Sequence, residues 1–130
     1  MSTATQFLTF VVGDEEYGVS ILQAKEIIEY DTVTTVPNAP PFIRGVMNLR
    51  GSVVPVVDLA VKFGRQSSPV TRRSCIVIVE VRHDGATTVM GIVADRVTQV
   101  AELASDAIEP APSFGTGVRT EWLIRPSSGK

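Results

Sequence analysis

Residues 73–94 read Arg73-Ser74-Cys75-Ile76-Val77-Ile78-Val79-Glu80-Val81-Arg82-His83-Asp84-Gly85-Ala86-Thr87-Thr88-Val89-Met90-Gly91-Ile92-Val93-Ala94. Two apolar runs, Arg73–Val81 and Thr87–Ala94, flank a polar segment containing Asp-Gly, the turn chemistry of a tight hairpin. In an extended chain, alternate residues share a face. Cys75, Val77, Val79 and Val81 therefore fall on one face, and Ile76 and Ile78 on the other. A strand apolar on both faces is buried on both, as in a barrel wall that lies against a second barrel. Cys75 reads as a buried, inert thiol and His83 as an exposed turn histidine.

Outward from this hairpin the composition repeats the message. Val and Ile together number 29 and Thr 12, against 6 Leu, and ten Gly and eight Pro punctuate the chain. β-branched residues lose rotamer freedom in helices and pack well on pleated surfaces. The expected class is mostly β with short helices. Strands are expected at Phe7–Val12, around Tyr17-Gly18-Val19 after the turn Gly13–Glu16, at Val33–Val36, and from Trp122 to Ile124. Val97 and Val100 lead toward another strand, and Glu102–Pro112 reads as a loop. Gly45–Arg50 and Ser52–Val57 form a hairpin about Gly51, with Pro55 at an edge or a bulge. Ser20 with Gln23 three residues on has capping-box spacing, which predicts a short helix over Ile21–Ile27. Asp58 reads as the N-cap of a helical turn over Leu59–Phe63 that ends at Gly64.

The 130 residues make one domain by length. Twelve basic against fourteen acidic side chains give a net charge of −2. No basic run exceeds Arg72-Arg73, so no footprint for nucleic acid or anionic lipid is present. Apolar runs of four or five residues are too short to insert in a membrane. Met1–Gln6 has no signal-peptide character, and a cytoplasmic location is expected. One cysteine and one histidine leave no material for a disulfide, a structural metal site or a His-based nucleophile. No catalytic residue, cofactor or metal is expected. Phe114-Gly115-Thr116-Gly117 lacks the Lys and following helix of a phosphate cradle.

An ordered series of motifs then stands out: Gly13-Asp14-Glu15-Glu16-Tyr17-Gly18-Val19, Pro37-Asn38-Ala39-Pro40, Phe42-Ile43-Arg44-Gly45-Val46-Met47-Asn48-Leu49-Arg50-Gly51, and Val53-Val54-Pro55-Val56-Val57-Asp58-Leu59. Gly91-Ile92-Val93-Ala94-Asp95 and Ile108–Gly115 continue it. Across residues 7–124 the series resembles the CheW family of chemotaxis adaptors. The resemblance implies two small SH3-like β-barrels packed side by side and no enzymatic activity. It implies two partners, a CheA-type histidine kinase and the cytoplasmic tips of methyl-accepting chemoreceptors, met at the membrane receptor arrays.

The resemblance also implies site residues. Glu26 and Arg50 match charged positions near receptor contacts; the structural alternative is a solvated surface pair worth at most about 1 kcal/mol. Val97 and Val100 resemble the apolar wall of the receptor groove, whereas Val93 reads as core. Arg44 and Gly45 match positions lying toward the kinase, although Gly45 equally fits a backbone requirement. Beyond Ile124 the resemblance stops: residues 1–124 read as the CheW-like domain with its second barrel incomplete, and 125–130 as a polar tail. The family's further strands and C-terminal helix are not matched, which leads to an expectation of an exposed edge, lower stability and association. The competing reading is a fragment that binds one partner and acts as a competitor or is inert.

Overall fold

The structure is a computed structural model that describes residues 5–13, 15–30, 33–67, 69–83, 85–103, 108–110 and 123–126. Its central hairpin is the one read from the sequence. Strands β6 (Cys75–His83) and β7 (Ala86–Ala94) pair antiparallel from Cys75↔Ala94 to His83↔Ala86, with Gly85 at φ 78 in the turn. The two faces of β6 enter different cores. Val77, Val79 and Val81 pack with Leu8, Phe10, Val19 and Ile92, while Ile76 and Ile78 pack with Val56 and Val93. Cys75 is half-buried rather than fully buried, and desolvation pushes its thiol pKa up.

The remaining strands are β1 (Thr5–Val12), β2 (Glu15–Ser20), β3 (Ala24–Glu29), β4 (Ile43–Leu49), β5 (Ser52–Val57), β8 (Arg96–Leu103), β9 (Ile108–Pro110) and β10 (Leu123–Pro126). They form two five-stranded sheets, ordered β8-β1-β2-β10-β9 and β3-β6-β7-β5-β4. The larger core lies where these sheets face each other, around Phe10, Val19, Val57, Leu59, Ile92 and Leu123. The smaller core lies on the far face of the second sheet. Ile28 of β3 and Met47 and Leu49 of β4 both pack against it, although β3 and β4 are the sheet's opposite edges. The second sheet is therefore curled toward a barrel around Ile76, Ile78, Val56 and Val93.

Several local readings change, among them the strand expected over Val33–Val36, where Thr34 makes an isolated bridge to Val46 instead. Ile21–Ile27 is not a helix: residues 21–23 turn and Ala24–Glu29 is a strand on β6. Ser20 does cap, but it caps that turn: its Oγ accepts from the Leu22 N–H at 3.2 Å, and its carbonyl accepts from the Gln23 N–H at 2.9 Å. Pairing of β-branched Ile27 and Ile28 across from Val77 and Ile76 overrides the capping signal. Pro55 is in neither an edge strand nor the bulged strand, since β4 holds both the edge and the extra residue. It precedes the short stretch where β5 meets β7, Val56↔Gly91 and Val57↔Ile92, so its missing N–H leaves that ladder intact. The helical turn at Leu59–Lys62 (α1) forms as read, with Asp58 Oδ1 accepting from the Val61 N–H at 3.3 Å and Gly64 at φ 83 beyond it. It is the helix found among the described residues. Strand β8 extends to Leu103 and β9 falls inside the stretch read as the Glu102–Pro112 loop, whose residues 104–107 and 111–112 lie outside the described residues. Strand β10 continues to Pro126, so Arg125 and Pro126, read as the start of a polar tail, pair instead with Glu109 and Ile108 of β9.

Candidate functional site

The β4–β5 connection is a two-residue turn, Leu49↔Ser52, with Arg50 at φ 52 and Gly51 at φ 86. Positive φ at both central residues is the type I′ geometry that matches strand twist. Asn48 Oδ1 accepts from the Gly51 N–H at 3.0 Å and steadies it. From this turn the Arg50 guanidinium donates to Glu26 Oε1 of β3 at 2.5 Å, with the Arg50 side chain 73% and the Glu26 side chain 25% exposed. The two residues singled out from sequence are thus brought together. An exposed pair of this kind contributes at most about 1 kcal/mol, so its position matters more than its strength. It ties β3 to the hairpin at the opposite edge of the curled sheet.

Beside it runs an open apolar groove of about 240 Å³, lined by Leu8, Ile21, Ala24, Lys25, Glu26, Ile27 and Val100. Ile21, Leu22, Ile27 and Val100 are exposed, Leu22 most of all at 79%. Val97 and Val100 are three apart and would face opposite sides of a regular strand. A bulge at Thr98 corrects this: Val97 pairs across from Phe10 and Val100 across from Leu8, so both share the sheet face of Phe10 and Leu8. Thr9 Oγ1 lies within hydrogen-bond reach of Thr98 Oγ1 and donates to the Gln99 carbonyl at 3.1 Å, holding the bulge. Val97 packs half-buried against the core behind the groove, whereas Val100 is at its open wall. Val93 is core, as read.

Arg44 and Gly45 lie at the other end of β4. Opposite Val57 and Val56, β4 carries one extra residue between Ile43 and Gly45, which makes Arg44 a bulge residue. Its guanidinium donates to Asp58 Oδ2 at 2.7 Å, to Ser67 Oγ at 2.6 Å and to Tyr30 Oη at 3.3 Å, and lies over the Tyr30 ring. Ser67 in turn donates to Asp58 Oδ2 at 2.6 Å. Burial alone would push the Asp58 carboxyl up; hydrogen bonds from Ser67, Arg44 and the Val61 N–H outweigh it and hold the carboxyl below the usual range. Burial would likewise lower Arg44, yet bonding to Asp58 and Tyr30 keeps it above its ordinary value. Gly45 answers to its backbone surroundings: an added Cβ would lie 2.2 Å from the Thr34 carbonyl oxygen, on the segment bridged to β4 through Thr34↔Val46.

Family comparisons agree with this architecture. The CheW-like domain matches residues 6–125. The chain belongs to the CheW family. It is 42% identical over 118 residues to the chemotaxis protein CheW of Klebsiella aerogenes, spanning 91% of this chain and 69% of that one. Against chemotaxis protein CheW of Helicobacter pylori it is 36% identical, with 92% and 75% covered. A crystal structure of the scaffolding protein TtCheW from Thermoanaerobacter tengcongensis superposes with a TM-score of 0.72 at 33% identity, covering 84% of this chain and 68% of that one. The mostly β, two-sheet architecture is therefore that of a CheW protein.

Sequence reading missed two features of the candidate site. It took Asp58 for a cap alone, because Arg44 and Ser67 stand 14 and nine residues away. It also missed Ile21 and Ile27 as groove residues by placing them on a helix. Among the described residues no cluster of three or more His, Cys, Asp or Glu is placed to hold a metal ion. Among them, too, no helix is long and apolar enough to cross a membrane.

Proposed function

We propose that this chain is a non-enzymatic chemotaxis adaptor that couples a CheA-type histidine kinase to the cytoplasmic tips of methyl-accepting chemoreceptors, working in the cytoplasm at receptor arrays. Membership of the CheW family supports the adaptor role, and the observation that carries the receptor assignment is the Glu26–Arg50 pair at the rim of an exposed apolar groove. Apolar walls exclude water and give affinity, while a charged rim sets orientation. Glu26, Arg50 and Val100 meet the receptor directly, Val97 backs the wall, and Leu8, Ile21, Ala24 and Ile27 extend it. Arg44 and Gly45 shape the kinase-facing end of β4, Arg44 through its clamp and Gly45 through its close approach to Thr34.

Charge reversal tests the receptor assignment. Arg50→Glu sets two carboxylates against each other at the rim, and binding of a chemoreceptor tip fragment should fall at least tenfold while binding of the kinase regulatory domain persists. Unchanged receptor affinity in that variant would remove Arg50 from the site.

A further inference from the structure

The hairpin of β4 and β5 is held very unevenly. At its root Val56 and Val57 pair with Gly91 and Ile92 of β7, Asp58 caps α1, and Arg44 is clamped by Asp58, Ser67 and Tyr30. Toward its tip, Ser52–Pro55 pair with β4 alone among the described strands, and among the described residues the backbone of β4's outer edge is bridged at one point, Thr34↔Val46. The tip is fastened to the rest of the sheet by Met47 and Leu49 on the small core, by the buried Val54 and by the exposed Arg50–Glu26 pair. A strand bends most readily at a bulge, and the bulge is at Arg44, beside the root.

We propose that the β4–β5 hairpin is a lever between the two partner sites, with Asp58 and Ser67 as positioning residues that fix its pivot through Arg44. This rests on the partner assignment given above. A partner that draws Arg50 or Glu26 into contacts of its own loosens the clasp at the tip. β4 is seven residues long and spans roughly 20 Å, so the displaced tip turns the hairpin about the Arg44–Gly45 bulge. The clamp sets how that turn is passed to the kinase-facing end. Coupling between the sites is then a property of the clamp, separable from the affinity of either site alone, and it acts equally in both directions.

The test titrates the full chain with a CheA-type regulatory domain, with and without a saturating chemoreceptor tip fragment, and reads the ratio of the two dissociation constants. Asp58→Asn keeps an N-cap of equal quality but removes the charge that holds Arg44. Ser67→Ala removes the clamp's bridging hydroxyl without touching the cap and serves if the first variant folds poorly. The wild-type chain should show a ratio within the usual allosteric range of about 5 to 150, and both variants should move it toward one. A wild-type ratio of one with both partners bound overturns the lever and leaves the adaptor role standing. An undiminished ratio in the folded variants overturns the role of the clamp. Failure of the wild-type chain to bind one partner overturns the partner assignment, and the lever with it.

Discussion

At Gly45 a hydrogen atom stands where any side chain would strike the Thr34 carbonyl, 2.2 Å from the ideal Cβ. Backbone on both sides of that contact is bonded, Thr34 to Val46 in both directions at 2.8 Å, so little can move aside. Gly45→Ala should therefore cost about 2 kcal/mol or more, read as a lower denaturant midpoint; an unchanged midpoint would mean the Thr34 segment does not lie on β4. Asp58 gives a prediction in pH. Its folded pKa lies below the ordinary 3.8, so its contribution is complete above that value and is lost as pH falls through the folded one. Acid titration of stability should be flatter below about pH 4 in Asp58→Asn than in the unchanged chain; parallel curves would contradict the clamp. The sequence showed Asp58 as a cap because a cap is local chemistry. Its ion pair with Arg44 was invisible there, since it depends on a bulge that turns a side chain 14 positions away.

Among the elements, the central strands were legible, whereas β3, β9 and the irregular joins were not. Alternation in Cys75–Val81 announced burial on both faces, and Leu49–Ser52 announced a hairpin through Arg50-Gly51. The segment Ile21–Ile27 misled because Ser20 and Gln23 satisfy a capping pattern that a short turn uses equally well. Only the pairing of Ile27 and Ile28 with β6 decides it, and pairing is a property of the whole sheet. The Thr98 bulge likewise has no signature in the sequence, yet it is what turns Val100 toward the groove. Uneven fastening of the β4–β5 hairpin predicts uneven hydrogen exchange. Amides of the β6–β7 hairpin should exchange only through near-global opening, and those of residues 47–53 through a much smaller local opening. Equal protection in the two hairpins would show the β4–β5 tip to be as firmly held as the centre.

For the molecule as a whole, β-branched composition and the scarcity of Cys and His pointed to a binding protein made of strands. The two-sheet architecture and CheW membership agree with that reading. What composition could not reveal is that the opposite edges of the second sheet come together, so that the Glu26–Arg50 rim and the Arg44–Asp58 clamp occupy the two ends of one strand. The proposed bridging role needs two surfaces far enough apart to be filled together. A fragment that only competes needs one. Sedimentation of the chain with a CheA-type regulatory domain and a chemoreceptor tip fragment separates these cases directly. The bridging role predicts a complex of all three that neither partner forms without the chain. Two separate binary complexes, with one partner displacing the other, would contradict it.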